Sequence, residues 1–320
     1  MKRWIFYLKF STPVRFGKDN RHTGLEETAF TCHSDTFFSA FFTECLQIFG
    51  EKSNFMDFLL KSIHENHFLL SDLLPYKGKE LYLPKPLILP KDEGAPLENM
   101  KEIKKCRYLS LSRFQEYFRS FEIDETPVSF GQETVTTRVS RRRNEDSLPY
   151  TVAAYRFAEN AGLYGIVQMP ERLKKHFLVT LQSLGKAGIG GKKSSGYGKF
   201  EVYRWRLLEI PPEDKEAEYT KAEKSLATLF GTESQWYMNL SLISPTTEEV
   251  KRLKALDSWY QLLYRSGFTM DTGLKQKQAL FINTGACLKE KLEGQLLRIE
   301  QEGDHPVYRY GKGIYIGVPQ

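Results

Sequence analysis

The chain has 320 residues, of which 41% are hydrophobic and 13% aromatic, enough to bury one large core or two smaller ones. This composition excludes a wholly disordered chain, and no apolar run reaches the roughly eighteen residues of a transmembrane helix. The formal net charge of +6 favours a polyanionic partner. The first residues alternate polar and apolar side chains, unlike a signal peptide, so we expect the protein to remain in the cytoplasm.

Hydrophobic periodicity predicts the elements of the first part of the chain. A strand over residues 4–10 precedes a polar loop and a helix from Ser34 to Gly50, in which Ser34 is a candidate N-cap. Apolar residues recur at helical spacing from Phe37 to Phe49, and we assign this stripe to the core. The pattern further predicts a helix over 54–66, a proline-rich edge strand or crossing segment over 81–90, a strand over 162–168, a helix over 171–184 and a strand over 200–208.

The composition changes after residue 210, and the pattern then begins again. Residues 211–224 mix acidic and basic side chains after a double proline, as solvated linkers do. We next expect a strand over 235–242, a helix starting near Thr246 or Thr247, a helix or strand over 259–264, and β-like runs over 278–288, 294–300 and 307–318. The sequence therefore indicates an α+β fold divided into residues 1–210, a charged linker over 211–232 and residues 233–320.

Two segments contain basic residues and no acidic ones. The first, RVSRRR at 138–143, lies in a polar stretch over 133–148 that we expect to protrude as a long loop or hairpin. The second, residues 184–200, combines glycines with lysines, so its backbone can approach a phosphate closely while the lysines supply charge. We call it the glycine loop. It is not a Walker A motif, since Lys193 stands where that motif needs Ser or Thr, and a flexible turn is the alternative interpretation.

Signals for metal binding and catalysis are weak. The four cysteines form neither a CxxC pair nor a dense disulfide pattern, so we expect free thiols. His64 and His67 lie three apart on a predicted helix, but no Cys or carboxylate cluster completes a site, and we expect no metal and no cofactor. His22, in a basic loop beside Asp19 and Arg21, is the one histidine placed to act as a general base for RNA cleavage.

Several blocks along the chain resemble those of a known family, the fourth subunit of the Csm complex, a RAMP protein of type III-A CRISPR systems. They are HSDTFFSAFF in the first helix, LLSDLLPY with LYLPKP, GIGGKKSSGYGKFEV at the glycine loop, and YRSGF, FINTGACL and VYRYGKGIYIGV near the end. Their order along nearly the whole chain makes the combined match specific. The resemblance implies two ferredoxin-like (RRM-like) domains, the first with an inserted thumb or hairpin.

The resemblance also implies a function and a set of contacts. Such subunits hold the repeat-derived 5′ tag of the guide RNA, and they contact the large polymerase-like signalling subunit and the first backbone RAMP subunit. We expect no membrane and no small-molecule substrate. The residues that we predict to bind RNA are Arg15, Lys18, Arg21, His22, Arg138, Arg141, Arg142, Arg143, Lys186, Gly188, Gly190, Gly191, Lys192, Lys193, Ser194 and Ser195.

Three functions stay open at this point. A non-catalytic RNA-binding subunit is favoured by the glycine loop and by the resemblance, because a single strand can be held by backbone amides, lysines and stacking aromatic side chains. A metal-independent endoribonuclease that processes repeat RNA through His22 is the alternative, since sibling RAMP proteins include such enzymes. Backbone RAMP subunits cut with an aspartate in the equivalent first loop, so Asp19 supports it too. The third is a structural adaptor whose basic loops contact nothing.

Overall fold

The computed structural model describes residues 1–18, 24–88, 106–120, 128–140, 148–266, 278–299 and 307–318. The protein has mixed α and β content with antiparallel sheets. Its N-terminal part comprises β1 (Lys2–Phe10), α1 (Ser34–Phe49), α2 (Asn54–His64), β2 (Leu69–Leu70), β3 (Leu74–Lys77), β4 (Glu80–Pro84), β5 (Tyr108–Ser110), α3 (Phe114–Ser120), β6 (Gly131–Ser140), β7 (Leu148–Phe157), β8 (Ala161–Met169), α4 (Lys174–Ala187) and β9 (Phe200–Leu207).

These strands form a sheet with the order β5-β4-β3-β8-β1-β9, while β2 also pairs with β8. All of its pairings are antiparallel. The proline-rich segment over 81–90, which we expected as an edge strand or a crossing segment, begins with β4, an inner strand, because β5 pairs with its outer side. Sequence periodicity could not show this, since β5 comes from a separate part of the chain.

The central strand β1 buries both faces, because successive side chains point to opposite sides of a sheet. On one side, Phe6 contacts Phe37 of α1 and Phe177 of α4, with ring centroids 5.7 Å apart in each case. On the other side, Ile5 and Tyr7 belong to a second core cluster. The apolar stripe of α1, which follows the helical period of 3.6 residues, therefore packs against one face of β1, where every second side chain points.

Helix α1 confirms the predicted core stripe, but its N-terminus is capped differently from our expectation. The aromatic residues at the start of the stripe, with Cys45, are buried. The N-cap position is His33 and not Ser34. The backbone N–H of Ser34 donates to Asp72 Oδ1 at 2.8 Å, while the Ser34 hydroxyl accepts from the backbone N–H of Leu242. A carboxylate distant in sequence thus supplies the cap.

The polar stretch over 133–148 contributes to a β-hairpin, one of the two forms that we predicted for it. Strands β6 and β7 pair without interruption from Gly131 opposite Phe157 to Ser140 opposite Leu148. Its base is tied to the loop after β1, because Val14 and Tyr155 exchange two backbone hydrogen bonds of 2.8 Å. The arginines at 141–143 lie outside the described residues.

The C-terminal part is also built of helices and antiparallel strands. It comprises α5 (Lys221–Gly231), β10 (Tyr237–Asn239), α6 (Thr247–Ala255), β11 (Ser258–Trp259), β12 (Leu262–Arg265), β13 (Ala279–Ile282), β14 (Cys287–Leu288), β15 (Gly294–Ile299), β16 (Val307–Lys312) and β17 (Tyr315–Gly317). The strand order of its sheet is β11-β14-β10-β17, and β12–β13 and β15–β16 are separate pairs. Thr246 caps α6 in a capping box. Residue 259 and residues 262–264 fall in strands β11 and β12, which agrees with the second of our two alternatives.

The segment that we predicted as a charged linker contains a packed helix. A short 3₁₀ helix spans Glu213–Glu218, and α5 then buries Ala222 and Leu226 in the core cluster that contains Ile5. Glu223 of α5 is fully buried, where it accepts hydrogen bonds from Tyr7 and Arg204. The charged residues misled the prediction because most of them are exposed, on the 3₁₀ helix and at the start of α5, while α5 still buries one apolar face.

The N-terminal and C-terminal parts share one core. Tyr310 of β16 packs on Phe38 of α1 with ring centroids 5.0 Å apart, and its hydroxyl accepts from the backbone N–H of Leu70. Arg265 of β12 forms a two-pronged ion pair with Asp35, with both N–O distances at 3.0 Å. No helix in the described part of the chain is long and apolar enough to span a membrane.

Candidate nucleic-acid interface

The glycine loop packs against its neighbours through backbone hydrogen bonds and one buried side chain. Helix α4 ends as the N–H of Gly188 bonds to the carbonyl of Leu184, and Gly188 has a φ of 87° that favours glycine. The next residue, Ile189, is fully buried and its N–H donates to the carbonyl of Gly198 at 3.0 Å. The loop is therefore anchored from its middle by an apolar side chain, which holds its lysines in place.

The loop after β1 binds the glycine loop through the backbone. The N–H of Gly191 donates to the carbonyl of Arg15 at 2.8 Å, and the N–H of Gly198 donates to the carbonyl of Pro13 at 2.8 Å. A Cβ on Gly190 would lie 2.5 Å from the Arg15 carbonyl oxygen, so only glycine fits there. Two segments that the sequence predicted separately therefore form one surface.

The hairpin β6–β7 adds a third basic segment to this surface. Arg138 donates to the Ser195 hydroxyl at 3.0 Å and to the Tyr197 hydroxyl at 3.3 Å, and its guanidinium lies 5.4 Å from the Tyr197 ring centre. Lys192 lies over the ring of Tyr150 of β7, at 5.1 Å. Cations and aromatic rings thus alternate across the contact between the hairpin and the glycine loop.

The remaining predicted residues differ in exposure. Lys186, Ser194 and Ser195 are exposed, whereas Lys192 and Lys193 are half-buried. Lys18 forms an ion pair of 3.3 Å with Glu27, which offsets part of its charge. Arg21, His22, Arg141, Arg142 and Arg143 lie outside the described residues, as does Asp19.

A groove of about 420 Å³ separates this surface from the C-terminal part, and we call it the arginine groove. One wall contains Arg15, Gly191 and Lys193, and the opposite wall contains Arg265 and Arg309. Sequence reasoning missed the second wall, because its arginines occur singly within apolar strands. The only signal for them was an arginine inside YRSGF and another inside VYRYG.

The electrostatics of the groove depend on Asp35, which lines it between the two walls. Burial raises the pKa of this carboxyl, but the charge and hydrogen bonds of Arg265, with the charges of His33 and Arg309, together hold the pKa below its usual value of 3.8. The Arg309 guanidinium donates to the carbonyl of Arg265 at 2.7 Å. One carboxylate therefore faces two arginines here, with Arg15 and Lys193 opposite, and the groove carries net positive charge.

A second cavity, of about 1070 Å³, is lined by Leu262, Leu263 and Tyr264 of β12, and we call it the large cleft. On its lining Asp72 Oδ2 lies 2.6 Å from His33 Nδ1 and accepts from the Thr284 hydroxyl at 2.6 Å. Asp72 also caps α1, so its two oxygens tie the C-terminal part to the N-terminal part. Lys85 and Arg107 supply positive charge to the cleft.

The groups that this surface offers to a ligand are charged side chains, backbone amides and aromatic rings. Within the ranges that the structure describes, no group of three or more His, Cys, Asp or Glu is arranged to hold a metal ion. His64 stays on α2, and the His67 ring is 3.3 Å from Glu65. The four cysteines form no disulfide with one another. The described residues suit an extended polyanion such as single-stranded RNA.

Comparison with known proteins identifies similar chains. A RAMP superfamily model matches residues 7–201, and a model of the CRISPR Csm4 C-terminal domain matches residues 232–318. The CRISPR system Cms protein Csm4 of Mycobacterium tuberculosis is 25% identical over 319 residues, which cover 96% of this chain and 97% of that protein.

Two solved structures share the fold. One chain of the Csm1-Csm4 cassette in complex with cA4 superposes with a TM-score of 0.63 at 21% identity, covering 99% of this chain and 98% of that one. One chain of the Csm3-Csm4 subcomplex in the type III-A CRISPR-Cas interference complex superposes with a TM-score of 0.58 at 17% identity, covering 99% of both chains.

Proposed function

Because this chain belongs to the RAMP superfamily, as a member of its Csm4 family, we propose that it is a non-catalytic RNA-binding subunit of a type III-A CRISPR interference complex. In this proposal it works in the cytoplasm and holds the repeat-derived 5′ tag of the guide RNA. The observation that carries the proposal is the convergence of the glycine loop, the loop after β1 and the hairpin on one basic surface. These segments are distant in sequence, yet they meet through backbone hydrogen bonds and Arg138.

The chemistry of the surface matches a single strand of RNA. The half-buried Lys192 and Lys193 lose less conformational freedom on meeting a phosphate than fully exposed lysines would, because packing already restricts them. Lys192 has a left-handed backbone, with a φ of 62°, which is uncommon outside glycine. Such a conformation costs stability, and such costs cluster at binding sites.

The proposal includes two ferredoxin-like domains, with boundaries near residues 210 and 233. In the N-terminal part, β1, β3, β8 and β9 stand in the order β3-β8-β1-β9, with α1 and α4 as the crossovers. In the C-terminal part, the order β11-β14-β10-β17 repeats this, with α6 in one crossover and the β15–β16 hairpin in the other. The insertion that forms β6–β7 would then be the thumb.

Two protein partners follow from the same family membership. Similar chains occur in structures of a Csm1-Csm4 cassette and of a Csm3-Csm4 subcomplex. We propose that this chain likewise links the large polymerase-like subunit to the RAMP backbone. The ion pair between Asp35 and Arg265 joins the two parts of the chain. The subunit can therefore hold its two partners in a fixed relative position.

RNA binding and cleavage measured together test this proposal. Labelled repeat-tag RNA is titrated with wild-type protein and with Lys192→Glu/Lys193→Glu across a range of salt concentrations. About four phosphate contacts predict a slope of log affinity against log salt of roughly −3 for a single strand, and losing two of them flattens the slope to about −1.5. The matched control is Lys174→Glu/Lys175→Glu, the same charge change at the other end of α4, about 20 Å away.

The outcomes separate the three functions. Salt-dependent binding without cleavage, lost in the loop variant and kept in the control, supports the binding subunit. If both variants bind the RNA with wild-type affinity, the proposal is contradicted and a structural adaptor is favoured. Specific cleavage of repeat RNA that disappears in His22→Ala would make the protein a processing nuclease.

A further inference from the structure

Two neighbouring lysines of the glycine loop have different surroundings. Lys193 lines the arginine groove, as Arg15 and Gly191 do. Lys192 is not among the described residues that line this groove, and its ammonium lies 5.1 Å from the ring centre of Tyr150 on β7. The hairpin therefore engages one of the two lysines that we assign to RNA.

Polar and aromatic groups make the contact between the hairpin and the glycine loop, and we call this contact the hairpin latch. It consists of Arg138, which donates to the Ser195 and Tyr197 hydroxyls at 3.0 and 3.3 Å, and of Lys192 over Tyr150. Arg138 and Tyr150 are cross-strand partners, so the two cations belong to one contact. No carboxylate of the described residues pairs with either cation. Since like charges repel, the latch is held less firmly than a contact with a counter-ion would be.

The hairpin is fixed to the rest of the protein at its base. Val14 and Tyr155 exchange two backbone hydrogen bonds of 2.8 Å, and the N–H of Ala153 donates to the carbonyl of Leu25 at 2.8 Å. Beyond Ala153, toward the tip, no backbone hydrogen bond of the described residues joins β7 to a segment other than β6. A strand rises about 3.3 Å per residue, so Tyr150 lies about 10 Å beyond the last fixed point. Side chains therefore hold the outer half of the hairpin in place.

We propose that the hairpin latch is an autoinhibitory contact, which is closed in the RNA-free protein and which RNA opens. The inference rests on the proposed function, because it describes how the same surface is regulated. Phosphates of the strand compete with Tyr150 for Lys192 and with the two hydroxyls for Arg138, and the outer half of the hairpin moves away from the glycine loop. RNA favours the open state because Lys192 can meet a phosphate only there.

A latch has a signature that a direct RNA contact does not have. Removing a group that binds RNA lowers the affinity, whereas removing a group that only closes the latch raises it, because a larger fraction of the free protein is then ready to bind. The salt dependence separates the two cases further. Weakening the latch leaves the number of phosphate contacts in the complex unchanged, so the slope of log affinity against log salt stays at roughly −3.

Two tyrosine variants weaken the latch without removing a charge. Tyr150→Leu takes away the ring beneath Lys192, and Tyr197→Phe removes a hydroxyl that accepts from Arg138. The affinity for repeat-tag RNA should rise about 2- to 5-fold in the first variant and about 2- to 10-fold in the second. The salt slope of both variants should equal that of wild type.

Matched tyrosine variants elsewhere in the chain serve as controls. Tyr203→Leu changes an exposed tyrosine of β9, and Tyr237→Phe removes a hydroxyl that donates to Glu233. Both controls should bind RNA as wild type does. A fall in affinity in either latch variant, or a change no larger than that of its control, would overturn the proposal, because the tyrosine would then contact RNA directly or have no part in binding.

Holding the latch closed tests the same point in the opposite direction. Arg138→Cys and Ser195→Cys in a Cys106→Ser background place two thiols across the latch, and the other three cysteines are buried. A short cross-linker that joins these thiols should lower RNA affinity at least about tenfold relative to the same chain treated with N-ethylmaleimide, since the linked protein cannot open. Cleaving the linker should restore the affinity. Equal affinity of the linked and the N-ethylmaleimide-treated chains would refute the latch.

The two proposals fail separately. If Lys192→Glu/Lys193→Glu loses RNA binding while Tyr150→Leu and Tyr197→Phe bind as their controls do, the proposed function holds and the latch does not. If the lysine variant binds normally, the proposed function itself is contradicted. Thermal midpoints within about 2 °C of wild type show that folding is intact. If Tyr150→Leu lies outside that range, Tyr150→Thr replaces it, since it removes the same ring and suits a strand.

Discussion

The ion pair between Asp35 and Arg265 allows a quantitative test of what joins the two parts of the chain. Asp35 lies in the first turn of α1 with 7% of its side chain exposed, and Arg265 in β12 has 14% exposed. Arg265 also donates to the Thr36 hydroxyl at 2.8 Å. We predict that Asp35→Asn, which keeps the shape and removes the charge, destabilises the protein because it removes the carboxylate that the half-buried Arg265 guanidinium contacts at 3.0 Å.

The magnitude follows from burial. Removing one partner of a buried pair costs about 3–5 kcal/mol, and the amide oxygen that replaces the carboxylate can still accept one hydrogen bond, so we expect about 2–4 kcal/mol. The control is Asp57→Asn in the first turn of α2, an exposed carboxylate with the same relation to its helix dipole. Its cost should be only about 0.3–1 kcal/mol.

Urea unfolding followed by tryptophan fluorescence measures both variants. With a slope near the upper end of the range, about 3 kcal/mol per M, Asp35→Asn should lower the midpoint by about 1 M and Asp57→Asn by about 0.2 M. The pKa of Asp35 is lowered in the folded protein, so its stabilisation is present above the unfolded value near 3.8 and is lost as pH falls through the folded value. The difference between wild type and Asp35→Asn should therefore shrink below about pH 4.

Three results would refute this reasoning. The first is a urea midpoint for Asp35→Asn that falls no further than that of Asp57→Asn. The second is a stability difference between wild type and Asp35→Asn that stays unchanged at pH 3. A double-mutant cycle with Arg265→Gln could give no coupling energy, although residues in direct contact normally couple by about 0.5–3 kcal/mol. Any of these would mean that other contacts between the two parts, and not this ion pair, hold them together.

Other predictions concern the core, the cysteines and the hairpin. Phe38→Ala removes a fully buried ring packed on β16 and should lower the free energy of unfolding by about 3–5 kcal/mol, measured by urea denaturation. Burial raises the pKa of the Cys45 and Cys287 thiols to about 12, so at pH 8 iodoacetamide should modify half-buried Cys106 first and the other two only on unfolding, as seen by mass spectrometry. Arg138→Ala should speed amide hydrogen exchange in β6 while leaving β1 unchanged, because it removes both side-chain bonds to the glycine loop.

The sequence by itself determined several local elements and indicated a polyanionic ligand. The apolar stripe of α1 needed only helical periodicity, because its residues all meet one core face. Thr246 marked the start of α6 through a capping box confined to four neighbouring residues. The glycine loop indicated a phosphate partner because the required residue types are contiguous.

Only the tertiary structure decided which distant groups meet. Asp72 rather than Ser34 caps α1, since the stronger acceptor arrives from a loop almost forty residues away. Arg265 was a lone arginine in an apolar strand until folding placed it beside Asp35. Part of the predicted linker forms helix α5, because one face of this helix packs in the core cluster that contains Ile5 of β1. Hydrophobic periodicity shows which face of an element is apolar, but not which other element packs against that face. Contacts between segments distant in sequence are therefore fixed only when the core forms.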